Sequence, residues 1–146
     1  MDARIVVGVD GSDESMAALR WALREAALRG ASLRVLHAWS YPAVVGFPTM
    51  RLVDIGVMRE SSEALLADAI AKASSGSPST VSIDPVVTEG SAAQALVDAS
   101  EGADLLVVGA RGHGGFLGLV LGSVATQVVH HATCPVVVVP SSDAAD

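Results

Sequence analysis

Five short apolar runs, rich in Val, Leu and Ile, recur along the 146-residue chain, and a stretch with helical periodicity follows each of the first four. The runs cover residues 4–9, 32–39, 80–87, 103–110 and 135–140. Runs of this kind are typical of strands buried on both faces of a parallel sheet. Parallel strands need long crossover connections, which helices supply in a right-handed sense. The sequence therefore predicts the order β-α-β-α-β-α-β-α-β.

Helical spacing and capping residues define four helices between the strands. The first begins after Ser12 or Asp13, either of which can cap it, and ends at Gly30. The third opens at Ser91 with Gln94 three residues later, which is the spacing of a capping box. The second and fourth helices are predicted over residues 58–74 and 123–132. The predicted apolar faces of the first two helices consist of Met16, Leu19, Leu23, Ala26 and Ala27, and of Leu65, Leu66, Ala69, Ile70 and Ala73.

The composition fits one domain built around such a sheet. Hydrophobic residues make up 51% of the chain but aromatic residues only 3%, so the core consists of Val, Leu, Ile and Ala. We expect residues 1–146 to form a single α/β domain. Its expected fold is a five-stranded parallel sheet in the strand order 3-2-1-4-5 with helices on both faces, which is Rossmann-like. Pro85 lies inside the third run and indicates an edge strand or a bulge.

Charge and cysteine content exclude some classes of partner. The net charge is −7 and Lys72 is the one lysine, so the chain lacks the basic stripe that a nucleic-acid surface requires. Cys134 is the one cysteine, so no disulfide can form within the chain. Residues 1–12 lack the apolar core of a signal peptide, and residues 116–129 are too short and too polar to span a bilayer. We expect a cytoplasmic protein with no nucleic-acid partner and no membrane partner.

Residues 109–127 hold six glycines but only one charged side chain, Arg111. Glycine costs conformational entropy and packs no side chain, so its accumulation needs a reason. Either the segment is a loose apolar loop, or a ligand is held against its backbone. In a doubly wound sheet, ligands bind at the carboxyl ends of the strands where the strand order reverses, here between the first and fourth strands. Residues 10–12 leave the first strand and Gly109 leaves the fourth, so we expect these segments to meet.

The two segments carry groups that suit a phosphate chain. Gly109 and Gly112 would let the backbone turn tightly beneath the phosphates. The fourth helix begins with Ser123 as a capping residue, and its N–H groups and positive dipole end attract anions. Arg111 is the only cation in reach. Asp10 repels a bare phosphate, so it would hold a bridging Mg²⁺ or accept hydrogen bonds from a ribose.

Two common nucleotide motifs do not fit the chain. The Walker P-loop G-x-x-x-x-G-K-[ST] needs a lysine, and Lys72 lies in a different helix. The dinucleotide pattern G-x-G-x-x-G is missing after the first strand, where the sequence reads GVDGSD. A phosphate site in this chain would therefore belong to another class.

In its motifs the chain resembles the universal stress proteins. The stretches VGVDGS, DLLVVGARGHGG and GSVATQVVHHATCPVVVV carry the resemblance, which covers nearly the whole chain. The ATP-binding subgroup of that family has the pattern G-x2-G-x9-G-[ST]. Gly109, Gly112, Gly122 and Ser123 satisfy this spacing.

The resemblance implies a stress-response regulatory protein that binds ATP with Mg²⁺. It implies homodimers, often paired through the last strand from Pro135 to Val139, and an apolar strand edge of this kind is one that a monomer would be expected to protect. It also places Ala38 and Trp39 near the base. The implied cofactor-binding residues are Asp10, Gly11, Ser12, Ala38, Gly109, Arg111, Gly112, Gly122, Ser123 and Val124, with Asp10 as the metal ligand.

Other interpretations stay open at this point. Slow ATP hydrolysis is one, with Asp10 and His113 as the candidate bases, and a nucleotide-free dimeric scaffold is another. Asp10 can also be a simple turn residue, and Ser12 a simple helix cap. Residues 40–57 can form a lid or a partner surface. No catalytic residue is assigned, and structural or surface roles are expected for His37, His130, His131 and Cys134.

Overall fold

The computed structural model describes residues 2–40, 55–75, 80–111 and 121–140, in which five strands and four helices alternate as predicted. In chain order the elements are β1 (Arg4–Gly8), α1 (Asp13–Arg29), β2 (Ser32–Trp39), α2 (Ile55–Ser74), β3 (Ile83–Glu89), α3 (Ala92–Ser100), β4 (Leu105–Gly109), α4 (Ser123–His131) and β5 (Val136–Val139). None of the helices in these ranges is long and apolar enough to cross a membrane.

All five strands form one parallel sheet in the order β3-β2-β1-β4-β5. β1 lies in the centre and pairs with both β2 and β4, so the strand order reverses between β1 and β4. β3 is an edge strand, which explains how it tolerates Pro85. The predicted doubly wound fold with helices on both faces of a five-stranded sheet is confirmed.

The strands bury side chains on both faces, and each face has its own core. Ile5 and Val7 of β1 point into the core beneath α1 and α2, whereas Val6 points into the opposite core beneath α3 and α4. All three side chains are 0% exposed. Burying an aliphatic side chain of this size fully is worth about 1.5–3 kcal/mol relative to leaving it in water. The neighbouring strands add Leu33, Val35, Leu105 and Val107 to the first core and Leu36, Leu106 and Val108 to the second.

Helix α1 is capped at both ends by residues that the sequence marks. The backbone N–H of Ser15 donates to Ser12 Oγ over 3.2 Å, so Ser12 rather than Asp13 is the N-cap. Gly30 ends the helix with a left-handed φ of 65°. Ala27, predicted on the apolar face, is exposed. Leu19, Leu23 and Ala26 are buried as predicted, and Ala18 and Ala22 complete the buried stripe.

Two elements, α2 and β3, begin three residues away from the predicted start, whereas the remaining ends agree within two residues. α2 begins at Ile55 rather than at residue 58, because helical backbone continues through Gly56, a residue type of low helix propensity. β3 spans Ile83–Glu89 rather than residues 80–87, because its pairing with β2 runs from Ile83 opposite Leu33 to Glu89 opposite Trp39. The partner strand, and not the local sequence, therefore sets the end of β3.

The capping box of α3 is only half formed. Ser91 accepts a hydrogen bond from the backbone N–H of Gln94 over 3.3 Å, which confirms the predicted N-cap. The Gln94 side chain does not provide the reciprocal bond. Its Nε2 donates to Asp98 Oδ1 over 2.8 Å, one turn further along the helix.

Ser100, the last residue of α3, is a fully buried polar side chain. Its hydroxyl donates to the Val97 carbonyl over 2.6 Å and accepts the backbone N–H of Thr133 over 3.0 Å. Ser100 therefore ties the end of α3 to the segment that leads into β5.

Replacing Ser100 by Ala should destabilise the protein, because the part-buried N–H of Thr133 loses its acceptor, the Ser100 hydroxyl. The Ser100 hydroxyl is fully buried but the Thr133 N–H is only part-buried, so we expect the free energy of unfolding to fall by about 1–2 kcal/mol, measured by urea denaturation. Ser75→Ala is the matched control, since Ser75 Oγ makes a similar bond to the Lys72 carbonyl over 2.9 Å at an exposed site. The control should stay within about 0.5 kcal/mol of the wild type. Equal losses in the two variants would contradict the role given to Ser100.

Candidate functional site

The turn after β1, residues 10–12, is held by its own side chains. Asp10 Oδ1 accepts hydrogen bonds from the Ser12 hydroxyl and from the Ser12 backbone N–H, the latter over 2.9 Å. The Asp10 N–H donates to Ser15 Oγ over 3.2 Å, and Gly11 has a left-handed φ of 86°. These bonds fix the carboxylate at the carboxyl end of β1. They give Asp10 a structural role in the turn, and its contact with a ligand stays a prediction.

The end of β2 lies beside the same turn. His37 Nδ1 lies 2.7 Å from the Val9 carbonyl oxygen. Because a carbonyl can only accept, Nδ1 carries the hydrogen, and the structural role predicted for His37 is confirmed. Trp39 is buried at 7% exposure, and its carbonyl accepts the N–H of Gly90 over 2.7 Å. Ala38 is half-buried, so of the two residues predicted near a base it is the more accessible.

Gly109, at the end of β4, lies directly against the first turn of α1. A Cβ atom added to Gly109 would come within 2.9 Å of the backbone carbon and oxygen of Glu14, and these backbone atoms cannot move aside without shifting the helix. Gly109 is not among the glycines with positive φ, so it does not supply the tight turn that the sequence suggested. The close approach of α1 and β4 is the reason for glycine here.

Arg111 follows β4 and lies beside a carboxylate. Its Nη2 atom is 3.8 Å from Glu14 Oε1, and the two side chains are only 24% and 18% exposed. This separation makes an ion pair rather than a hydrogen bond. Arg111 was predicted from the sequence as a cation for phosphates, but its pairing with Glu14 was not, because no local sequence signal connects the two residues.

Helix α4 begins next to the end of β4. The N–H of Gly122 donates to the Ala110 carbonyl over 2.7 Å, which fixes the start of the helix there. Gly122 is the N-cap and makes no side-chain capping bond, so the prediction that Ser123 caps the helix is wrong. Ser123 is the first helical residue and is exposed, and Val124 is half-buried. Glycine has no side-chain oxygen, which is why this helix end lacks a side-chain cap at the N-cap position.

Part of the predicted site lies outside the described residues. Gly112 and His113 fall in the segment 112–120, and most of the predicted lid or partner surface falls in residues 41–54. The described part of the site therefore consists of the turn at Asp10, the end of β2, the end of β4 and the start of α4.

The metal prediction rests on one carboxylate. Within the four described ranges, no group of three or more His, Cys, Asp or Glu side chains is placed to hold a metal ion. Mg²⁺ commonly binds through one or two carboxylates and completes its octahedron with substrate phosphates and water. Asp10 fits that pattern, so an Mg²⁺ site here would form together with a phosphate ligand.

The remaining candidate side chains behave as surface or packed groups. Burial raises the pKa of the Cys134 thiol, and the negative charge of Asp104 raises it further. The thiol is therefore a weak nucleophile at neutral pH, as expected. His130 and His131 are both exposed at the end of α4.

A groove between α1 and α2 was not predicted from the sequence. Its volume is about 560 Å³, and it shares only Gly11 with the turn at Asp10. Arg20 and Lys72 line it together with Asp13 and Asp68, so it carries charges of both signs. Lys72 Nζ lies 3.0 Å from Asp68 Oδ2, so this lysine forms an ion pair with another residue that lines the groove.

The described geometry defines the class of protein. A doubly wound parallel sheet, with a fixed carboxylate and a helix start at its topological switch point, makes this an α/β protein of the Rossmann-like class. The sequence profile of the universal stress protein family matches residues 1–140, and the chain belongs to this family.

Curated relatives from mycobacteria share much of the sequence. A universal stress protein of Mycobacterium tuberculosis strain H37Rv is 39% identical over 140 residues, which is 96% of this chain and 46% of the relative. A universal stress protein of Mycolicibacterium smegmatis is 37% identical over an alignment of 147 positions, gaps included, which covers 97% of this chain and 49% of the relative. The chain thus spans about half the length of the curated relatives it matches.

Solved structures of universal stress proteins share the fold over nearly the full chain. UspA from Lactobacillus plantarum is 25% identical with a TM-score of 0.78, covering 94% of this chain and 97% of its own. A universal stress protein in complex with cAMP is 30% identical with a TM-score of 0.69, covering 97% and 98%. The protein from Archaeoglobus fulgidus in complex with dAMP is 28% identical with a TM-score of 0.61, covering 94% and 97%.

Substitution of Gly109 by Ala should cost more stability than substitution of Gly8. The added Cβ at Gly109 meets the backbone of Glu14, whereas at Gly8 it comes within 2.8 Å of Leu96 Cδ1, a side-chain end that can rotate. We expect Gly109→Ala to lower the free energy of unfolding by about 1–3 kcal/mol and Gly8→Ala by less, measured by urea denaturation. A Gly109→Ala protein as stable as the wild type would contradict the packing role of Gly109.

Proposed function

We propose that this protein is a cytoplasmic stress-response regulator that binds an adenine nucleotide, ATP with Mg²⁺, in the crevice between the carboxyl ends of β1 and β4. The observation that carries the proposal is the start of α4. The Gly122–Ala110 hydrogen bond fixes this helix end beside β4, and Gly122 offers it no side-chain cap. Backbone N–H groups at the positive end of a helix attract negative charge, so this end suits a phosphate chain.

The proposed roles of the site residues follow from their positions. The N–H groups of Ser123 and Val124, with the Ser123 hydroxyl, bind the phosphates, and Gly112 completes the glycine pattern. Asp10 holds the Mg²⁺ that bridges the phosphates, or accepts hydrogen bonds from the ribose. The half-buried Ala38 borders the base.

The solved relatives support an adenine nucleotide as the ligand class. One universal stress protein was solved with cAMP and another with dAMP, and they are 30% and 28% identical to this chain. Both ligands contain an adenine base and a phosphate. The choice of ATP rests on the glycine pattern at Gly109, Gly112, Gly122 and Ser123.

A carboxylate at the start of α4 should block the nucleotide without harming the fold. In Ser123→Asp the new charge repels the phosphates, and we expect ATP affinity to fall about tenfold or more in isothermal titration calorimetry. The same charge interacts favourably with the helix dipole, so the thermal unfolding midpoint should not fall. A loss of affinity without a loss of stability separates ligand repulsion from misfolding.

Ser123→Asn is the matched control, because it has the same shape without the charge. Its ATP affinity should stay within about threefold of the wild type. Wild-type protein that gives no heat and no thermal shift at millimolar ATP would overturn the proposed function and favour a nucleotide-free scaffold. If Ser123→Asp and the wild type bind ATP with equal affinity, the proposed contact between the phosphates and the start of α4 is contradicted.

We also propose that the protein forms homodimers through β5. In the described sheet β5 pairs on one side with β4 and stands at the edge. The carbonyls of Pro135 and Val139 accept hydrogen bonds from β4, so odd-numbered residues face β4 and the amides of Val136 and Val138 face the open edge. An apolar edge with outward-facing amides fits a second copy of the same strand.

Val138→Pro should convert the dimer to a monomer, because proline removes an outward N–H but leaves the ladder to β4 intact. Sedimentation velocity at micromolar protein should show a dimer for the wild type and for the control Val138→Thr. Circular dichroism should show a folded protein in all three cases. A wild type that sediments as a monomer, or a dimeric Val138→Pro, would contradict pairing through β5.

A further inference from the structure

The Glu14–Arg111 ion pair crosses the point where the strand order reverses. Glu14 lies in the first turn of α1, which follows β1, and Arg111 lies just after β4. β1 and β4 are neighbours in the sheet, so the pair joins the two sides of the proposed crevice at its carboxyl edge. Any phosphate placed there meets a guanidinium that already has a carboxylate partner.

Packing fixes the backbone of Glu14, and its side chain is largely buried. The backbone of Glu14 lies so close to Gly109 that a Cβ on Gly109 would come within 2.9 Å of it. The side chains of Glu14 and Arg111 are only 18% and 24% exposed, so solvent screens the pair less than it screens an exposed pair. The Glu14 carboxylate therefore lies beside Arg111 on a fixed stretch of backbone at the edge of the crevice.

Charge around the crevice consequently disfavours phosphate without a cation. Among the residues that the structure describes, Asp10 and Glu14 place two carboxylates at this edge, beside the guanidinium of Arg111. The repulsion from the carboxylates grows with each phosphate that a nucleotide carries, and a bound Mg²⁺ reduces it.

We infer that Glu14 is a specificity-determining residue, which competes with ligand phosphates for Arg111 and so penalises nucleotides in proportion to their charge. This inference rests on the proposed nucleotide site. Glu14 then selects among ligands, in addition to its position in the first turn of α1. Removing the carboxylate removes one competitor for the Arg111 guanidinium and one repulsive charge at the same time.

The test compares wild type and Glu14→Gln with AMP, ADP and ATP by isothermal titration calorimetry, with EDTA and then with Mg²⁺. Without Mg²⁺ we expect Glu14→Gln to bind ATP about threefold to fivefold more tightly, with a smaller gain for ADP and the smallest for AMP. With Mg²⁺ the gain for ATP should shrink, because the cation neutralises part of the phosphate charge.

Two further variants separate this mechanism from a structural effect. Glu25→Gln is the matched control, since Glu25 also lies on α1 and pairs with an arginine, Arg29, over 2.8 Å. It should leave all three affinities unchanged. In the Arg111→Gln background, the gain from Glu14→Gln should become smaller, because Glu14 then has no guanidinium to withhold.

The possible outcomes distinguish the inference from the proposed function. Suppose first that the wild type binds nucleotides. If Glu14→Gln then changes the AMP and ATP affinities equally, leaves them unchanged or weakens binding, the inference is overturned and the proposed nucleotide site still stands. The same gain with and without Arg111 also overturns it. Absence of binding by both proteins to all three nucleotides overturns the proposed function and the inference together.

Discussion

The double pairing of β1 is the constraint on which the rest of the structure depends. β1 is hydrogen-bonded to β2 on one side and to β4 on the other, and its Ile5, Val6 and Val7 side chains are 0% exposed. The chain leaves β1 into α1 on one face of the sheet and leaves β4 towards α4 on the other. Neighbouring strands that lead to opposite faces necessarily open a crevice between their carboxyl ends. The described residues of the candidate site lie around that crevice because β1 is central.

Close packing and the proposed ligand binding place demands on the same residues. Gly109 lets the first turn of α1 lie against β4, and it is also the first glycine of the pattern on which the proposed nucleotide site rests. The side chains of Ser12 and Ser15 hold the turn at Asp10, and they belong to the start of the same helix. A change at the α1–β4 contact therefore alters stability and the position of the Asp10 carboxylate together, so variants here need both measurements.

Most of the fold could be predicted from the sequence, because hydrophobic periodicity, capping residues and the alternation of strands and helices are local signals. The apolar runs, a cap at Ser12 or Asp13 and an edge strand or bulge at Pro85 were predicted in this way, and the structure shows the cap at Ser12 and Pro85 on an edge strand. Contacts that depend on the assembled fold could not be predicted. The end of β3 follows its partner β2, and the Ser100–Thr133 bond joins segments that are distant in the sequence. The same holds for the candidate site. Asp10 and Arg111 could be predicted because each follows a predicted strand, but no local sequence signal indicated that Glu14 lies beside Arg111.

The central claim is that main-chain amides at the start of α4, together with the turn at Asp10, hold the nucleotide phosphates. Nuclear magnetic resonance of ¹⁵N-labelled protein during titration with Mg²⁺-ATP tests this most directly. The account predicts that the largest amide shift changes fall on residues 122–124 and 10–12, with a smaller response at Ala38. Shift changes confined to the groove between α1 and α2, or none at saturating nucleotide, would contradict it.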